Sequence, residues 1–319
     1  MKKLMIAASI LFMAISAYAN DSAVEVSVGG LKLRKEHSVL METERLFISK
    51  ELVRVEYEFR NTSKIPVSSE VAFPLPAILY ENPDYQGGRY FDDFKAWSDG
   101  KAIKLEKEVK AFVKKRDVTA ELRKAGISIG EFGYFAPGGD NEITKLNPAV
   151  KKKLVSIGAL KAPGNKDRDL DYWPEWEIRI TYHWRQEFPP GAVVHIRHEY
   201  PPVPGYRPVQ VPKLKREFKD TCLNDSAFKE AKNRISKKMQ KEPGINNYFT
   251  ASWVSYILTT ANTWQTPIKD FEMSVKGEKD DLVSFCWDGV IEKTGEAEYR
   301  IRRTDFVPKK DLKVYFLNP

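Results

Sequence analysis

Three of the four histidines stand within one stretch, Trp176 to Pro202, which reads WEIRITYHWRQEFPPGAVVHIRHEYPP. Imidazole ligates transition metals and exchanges protons near neutral pH, so metal or acid-base chemistry is sought here first. Apolar and polar residues alternate on both sides of Pro189-Pro190-Gly191, the pattern of a long antiparallel β-hairpin. On that reading Trp176, Ile178, Ile180, Tyr182 and Trp184 share a face with Val194, Ile196, His198 and Tyr200. His198 is then expected as a neutral, hydrogen-bonded core residue. His183 and His195 fall on the polar face with Glu177, Glu187 and Glu199. A register that matches the apolar faces makes the two imidazoles diagonal neighbours, about 7 to 8 Å apart. With Glu187 they form a candidate zinc site, and a metal-assisted hydrolase is the enzymatic alternative. Arg179, Arg185 and Arg197 share that face and oppose a divalent cation, so an ordinary salt-bridged surface is the competing expectation.

Other chemistry is sparser. No HExxH, CxxC or Walker pattern occurs, and no catalytic residue and no cofactor is assigned. Between Tyr80 and Trp97 the rings of Tyr85, Tyr90, Phe91 and Trp97 are interleaved with Asp84, Asp92 and Asp93. Aromatic faces beside carboxylates can stack on and hydrogen-bond a sugar, and they can equally cover a core. From Lys213 to Lys241 the chain carries ten Lys or Arg against four Asp or Glu. Lys229, Lys232, Lys237 and Lys241 are candidates for meeting an anionic polymer or membrane surface, the alternative being a solvated helix face.

These residues must be placed by a mainly β scaffold. Val53, Val55, Tyr57 and Phe59 alternate with Arg54, Glu56, Glu58 and Arg60, which predicts a strand with one buried and one wet face. Leu46 to Ser49 supplies its partner, and Asn61-Thr62-Ser63 ends it as a turn. Val67 to Leu75 continues the alternation until Pro74 and Pro76 limit ladder pairing. The region from about 110 to 172 looks inserted and helical. One short helix is expected from Asp117 as N-cap to Gly126, and another from Asn147 as N-cap, with Pro148 at its first position and Gly158 as its stop. PPVPGYRPVQVP reads as a linker, and Asp225 caps a basic amphipathic helix running to about Lys241. Strands are expected over Trp253 to Thr260, Ile268 to Val275, Leu282 to Trp287, Tyr299 to Arg303 and Leu312 to Leu317. The expected organisation is therefore a β-sandwich-like antiparallel domain over 20–205 with the insertion, then a smaller α+β domain over 206–319.

Residues 1–19 carry two lysines, an apolar run and Ala17-Tyr18-Ala19, which predicts a secretory signal peptide and a mature chain starting at Asn20. The formal charge is +8, and loss of Lys2 and Lys3 with the leader leaves 50 basic against 44 acidic side chains. No later stretch is apolar enough to span a bilayer, so no integral membrane segment is expected after leader removal. In an exported chain the even pair Cys222 and Cys286 is expected to form a disulfide that ties the basic helix to a strand.

Several phrases resemble the exported bacterial family catalogued as domain of unknown function 4424. They are Asn20-Asp21-Ser22 with Gly29-Gly30-Leu31, VRVEYEFRN, FPLP, YHWRQEFPPG, HEYPP, SYILTTANTWQTPIKDF and FVPKKDLKVYF. The resemblance spans nearly the whole mature chain. It implies export and a β-rich body, and it brings no catalytic residues with it. The expected function is a periplasmic or secreted, non-enzymatic module that binds an envelope or extracellular partner, protein or glycan.

Overall fold

The computed structural model describes residues 22–27, 30–79, 93–129, 142–164, 172–210, 221–223, 225–241 and 248–318. Up to the central proline turn its strands are β1 (Ser22–Ser27), β2 (Gly30–Leu33), β3 (Val39–Ile48), β4 (Val53–Asn61), β5 (Val67–Pro74), β6 (Ile78–Leu79), β7 (Lys95–Ser98), β8 (Lys101–Ala102), β9 (Glu106–Val113), β10 (Arg116–Asp117), β11 (Leu160–Lys161), β12 (Trp173–Pro174) and β13 (Glu177–Phe188). Short helices α1 (Thr119–Lys124), α2 (Glu142–Lys145) and α3 (Pro148–Ser156) lie between β10 and β11. Beyond the turn come β14 (Val193–Tyr200), β15 (Gly205–Gln210), α4 (Asp225–Lys241), β16 (Tyr248–Tyr256), β17 (Ile268–Lys276), β18 (Leu282–Ser284), β19 (Glu292–Lys293), β20 (Glu298–Phe306) and β21 (Leu312–Asn318). The protein is mainly β, as its alternation predicts.

Two sheets make the sandwich. The first runs β10-β9-β13-β5-β1-β2, with β6 also on β13; the second runs β19-β20-β17-β3-β4-β14-β7-β8. Period-two burial drives them together: Val53, Val55, Tyr57 and Phe59 on β4 are at most 1% exposed, while their neighbours Arg54, Glu56, Glu58 and Arg60 point to water. Large rings fill the space between the sheets, among them Phe73 of β5, Trp184 of β13, Tyr57 of β4 and Tyr200 of β14. A third, four-stranded sheet, β15-β16-β21-β18, turns one face into this core through Val254, Tyr256, Val314 and Phe316. Its other face carries Ala251 and Leu317 against Ala231 and Ile235 of α4.

The expected hairpin is not one. β13 pairs with β5, β6 and β9, whereas β14 pairs with β4 and β7, so Pro189-Pro190-Gly191 carries the chain from one sheet to the other. The apolar faces of the two strands look at each other across the core: the rings of Trp184 and His198 meet edge-on at 5.2 Å. A tight turn would have joined them by backbone hydrogen bonds; the arch joins them by side chains. The expected linker also differs, because Gly205–Gln210 is a strand. It lies at a sheet edge, the position where a residue without an N–H, such as Pro208, is tolerated.

The expected division near residue 205 does not coincide with a break between sheets. β17 pairs in parallel with β3, placing Asp270 to Val275 beside Thr43 to Ile48. The insertion is likewise narrower than expected, since β9 belongs to the first sheet alongside β13. α3 starts as its residues dictate: the Asn147 side chain accepts a hydrogen bond from the Val150 N–H at 2.9 Å, and Pro148 follows at the first position. α1 is capped one residue later than expected, at Val118, although Asp117 Oδ1 still accepts from the Thr119 N–H. The strand expected over Trp253 to Thr260 ends at Tyr256 and gives way to a 3₁₀ turn over Thr259–Thr263. Asn61 is the buried last residue of β4, just before the expected turn: its amide donates to the carbonyls of Ile65 and Phe188, both at 2.8 Å.

Cys222 and Cys286 form the expected disulfide, joining the segment before α4 to the segment after β18. The 64-residue separation makes its chain-entropy contribution about 4 kcal/mol. Among the described residues no helix is long and apolar enough to cross a membrane. Residues 1–19 lie outside the described residues.

Candidate functional site

The sheet switch separates the histidines. His183, on the outer face of the first sheet, is clamped between strands: its Nδ1 is 2.6 Å from Glu70 on β5 and its Nε2 4.0 Å from Glu106 on β9. Only 14% of its side chain is exposed. His195 lies on the outer face of the second sheet, 3.5 Å from Glu58 directly opposite on β4, with 61% of its side chain exposed. The imidazoles therefore stand on opposite sides of the core, and the diagonal pair expected from a hairpin is not formed. Glu187 accepts a hydrogen bond from Ser68 and approaches Arg185 at 3.8 Å, both on the His183 side. The trio of His183, His195 and Glu187 consequently does not converge on one point.

His198 points inward and is fully buried among the rings of Tyr57, Phe73, Phe94 and Trp184, with centroids 4.9 to 5.7 Å away. Burial pushes its pKa down to about 3, so the ring is neutral at physiological pH. Burial also raises the neighbouring Tyr200 hydroxyl.

On the His195 side the strand order assembles residues that are scattered in sequence. In register across β7, β14, β4, β3, β17 and β20 run Trp97, Arg197, Glu56, Arg45, Glu272 and Arg302. Opposite charges on adjacent strands stabilise such a ladder, as in the 2.7 Å bond from Arg302 to Glu272. At the β7 end lies a groove of about 480 Å³, lined by Arg45, Glu56, Glu58, Trp97, His195 and Arg197. The Arg197 guanidinium stacks on the Trp97 ring 4.9 Å from its centroid and also bonds Glu199. Burial alone would raise the Glu199 carboxyl, but hydrogen bonds from Arg54 and Arg197 outweigh it and hold it below the ordinary range.

Asp99 and Gly100 position Trp97. Both have positive φ, 47° and 77°, the two-residue turn that closes a hairpin between β7 and β8. Asp99 Oδ1 accepts from the His195 N–H at 2.9 Å, and the Asp99 N–H donates to the His195 carbonyl at 2.8 Å. The turn thereby locks the tryptophan strand onto the histidine strand. Its Asp-Gly dipeptide was available in the sequence as a hairpin signal. Arg45, Glu56 and Glu58 carried no comparable signal, because only the strand order brings them to Trp97.

The remaining candidates do not join this site. Tyr85, Tyr90 and Phe91 lie outside the described residues. Lys229, Lys232 and Lys237 are exposed on α4, and the side chain of Lys241 lies outside the described residues. A second cavity, about 510 Å³, lies beside α1 and includes Lys107, Lys110, Asp117, Thr119, Arg123 and His183. Its polar groups are largely engaged internally: Lys110 with Glu108 at 3.2 Å, and Thr119 Oγ1 with the Ala111 N–H at 2.9 Å.

The whole chain can now be set beside known proteins. Residues 19–315 match the family model described as domain of unknown function (DUF4424). The chain belongs to this family. No curated protein matches it. Among solved structures, this DUF4424 chain is similar to a proposed nutrient binding protein of Legionella pneumophila, at 14% identity and a TM-score of 0.46, covering 94% of this chain and 70% of the other. It is more distantly similar to an M1 zinc metallopeptidase from Deinococcus radiodurans, at 8% identity and a TM-score of 0.29, covering 88% of this chain and 43% of that enzyme. Such distances carry nothing about function, which rests on the chain's own residues.

Proposed function

We propose that the protein is an exported, non-enzymatic binding module whose Trp97 groove takes a saccharide of the cell envelope. The observation that carries this reading is the joining of one indole ring, two guanidinium groups and two carboxylates in a single groove of ligand size. A sugar presents an apolar ring face to an aromatic and a rim of hydroxyls to charged hydrogen-bonding groups; Trp97 supplies the first partner, and Arg45, Arg197, Glu56 and Glu58 the second. Export is supported by the leader pattern of residues 1–19 and by the Cys222–Cys286 disulfide, a bond that persists in oxidising compartments.

Calorimetric titration with soluble envelope oligosaccharides tests the reading. Trp97→Ala is expected to weaken binding about tenfold, the magnitude of a lost aromatic contact of about 1.4 kcal/mol, while the melting temperature stays within a few degrees. Wild-type affinity in Trp97→Ala, or turnover of the oligosaccharide by the wild-type protein, overturns it.

A further inference from the structure

The charges around the groove do not balance. Arg45 is engaged by the Asp270 carboxylate and by the Asp270 carbonyl at 2.8 Å, and Arg197 by Glu199. Each guanidinium thus already has a carboxylate partner, Arg197 sharing Glu199 with Arg54. Glu58 leans toward His195. Glu56 stands directly opposite both arginines, Arg45 on β3 and Arg197 on β14, yet it has no ion pair among the described residues. With Arg54, which also bonds Glu199, the groove and its immediate supports hold three guanidinium groups, Arg45, Arg54 and Arg197, against four carboxylates, Glu56, Glu58, Asp270 and Glu199, and the surplus carboxylate is that of Glu56.

A surplus of carboxylate beside an aromatic ring selects for a ligand that is both ring-shaped and cationic. A neutral sugar draws nothing from the surplus, and an acidic sugar is repelled by it. An ammonium group gains a charge-assisted hydrogen bond and the field of the neighbouring carboxylates. Resting on the saccharide reading above, we infer that the ligand is an amine-bearing saccharide whose ammonium is taken by Glu56, with Glu58 as its second acceptor. Arg45 and Arg197, besides meeting the sugar's hydroxyls, hold their carboxylate partners Asp270 and Glu199, and Arg197 orients the Trp97 ring.

The test compares two probes of equal length, a glucosamine oligomer and its fully N-acetylated counterpart, titrated calorimetrically into the full chain at a pH where the free amine is charged. The glucosamine oligomer is expected to bind about tenfold more tightly, the gain of a charge-assisted hydrogen bond of about 1.4 kcal/mol. Glu56→Gln is expected to bring it down to the affinity of the acetylated oligomer, and added salt to shrink the preference in the wild type. Equal binding of the two oligomers, or a preference that survives Glu56→Gln, overturns the amine inference and leaves the saccharide reading standing. Failure of both oligomers to bind removes the inference together with that reading. Glu56 is exposed and unpaired, so the Gln variant is expected to fold normally, and its circular dichroism and melting curve confirm this before titration.

Discussion

The two outer faces of the sandwich are made from the same materials and behave differently. Each presents a histidine beside glutamates on a strand that is buried on its other side. His183 belongs to β13, which has full-length neighbours in β5 and β9, and both of them reach it with a carboxylate. His195 belongs to β14, whose β4 neighbour is long but whose β7 neighbour has four residues and is backed by the two residues of β8. Where the sheet runs out of strand a groove opens, and its imidazole is far more exposed than the one held between full ladders. A polar residue is tied down by neighbouring strands and becomes available to a ligand where those strands are short.

The strongest way to probe this contrast uses the third histidine, which faces neither surface. The unfolded chain protonates near pH 6.5 at this residue, while buried His198 stays neutral until about pH 3. Between those values the unfolded state binds the extra proton, so stability falls as pH falls. From pH 6.5 to 5 the loss attributable to His198 is about 1.5 kcal/mol, measured by urea unfolding across that range. His198→Phe keeps a ring in the cluster and is expected to flatten this slope, whereas His183→Ala and His195→Ala leave it in place. An undiminished slope in His198→Phe would show that the titrating group is elsewhere.

The clamped face comes next in size. His183→Ala breaks the short bond to Glu70 and should cost about 1 kcal/mol of unfolding free energy without altering saccharide affinity. A change in affinity with no change in stability would reverse the roles assigned to the two faces. The smallest stability effect is expected from His195→Ala: within about 0.5 kcal/mol, as for exposed surface positions, with affinity changed at most a few-fold through Glu58. A loss of stability larger than that of His183→Ala would mean that the groove is a structural clamp after all.

Much of this frame was legible in the residues. The alternation of Val53, Val55, Tyr57 and Phe59 with charged neighbours specifies a strand and its buried side, Asn147-Pro148 starts α3, and the two cysteines have each other as partners. What alternation does not encode is which strand lies alongside. Trp184 and His198 turn inward whether β13 and β14 are hydrogen-bonded neighbours or face one another across a core, and Pro189-Pro190-Gly191 permits either. The candidate site inherited that ambiguity. Trp97 was readable as an aromatic beside polar groups and Arg197 as an outward arginine, but Glu56 and Arg45 join them only through the order β7-β14-β4-β3. Proline was over-read in one place: Pro208 bars a central strand, not an edge strand.

The parallel contact between β3 and β17 has a consequence for how the chain is made. Arg45 meets Asp270 across 225 positions, so the growing N-terminal half carries β3 as an open edge for most of synthesis. Pairings of such high contact order form slowly, and an unpaired strand edge is a template for association with other chains. The molecule's vulnerable moment therefore precedes its completion, and a holdase or a lower growth temperature is expected to raise the yield of recombinant material more than any change in the finished fold.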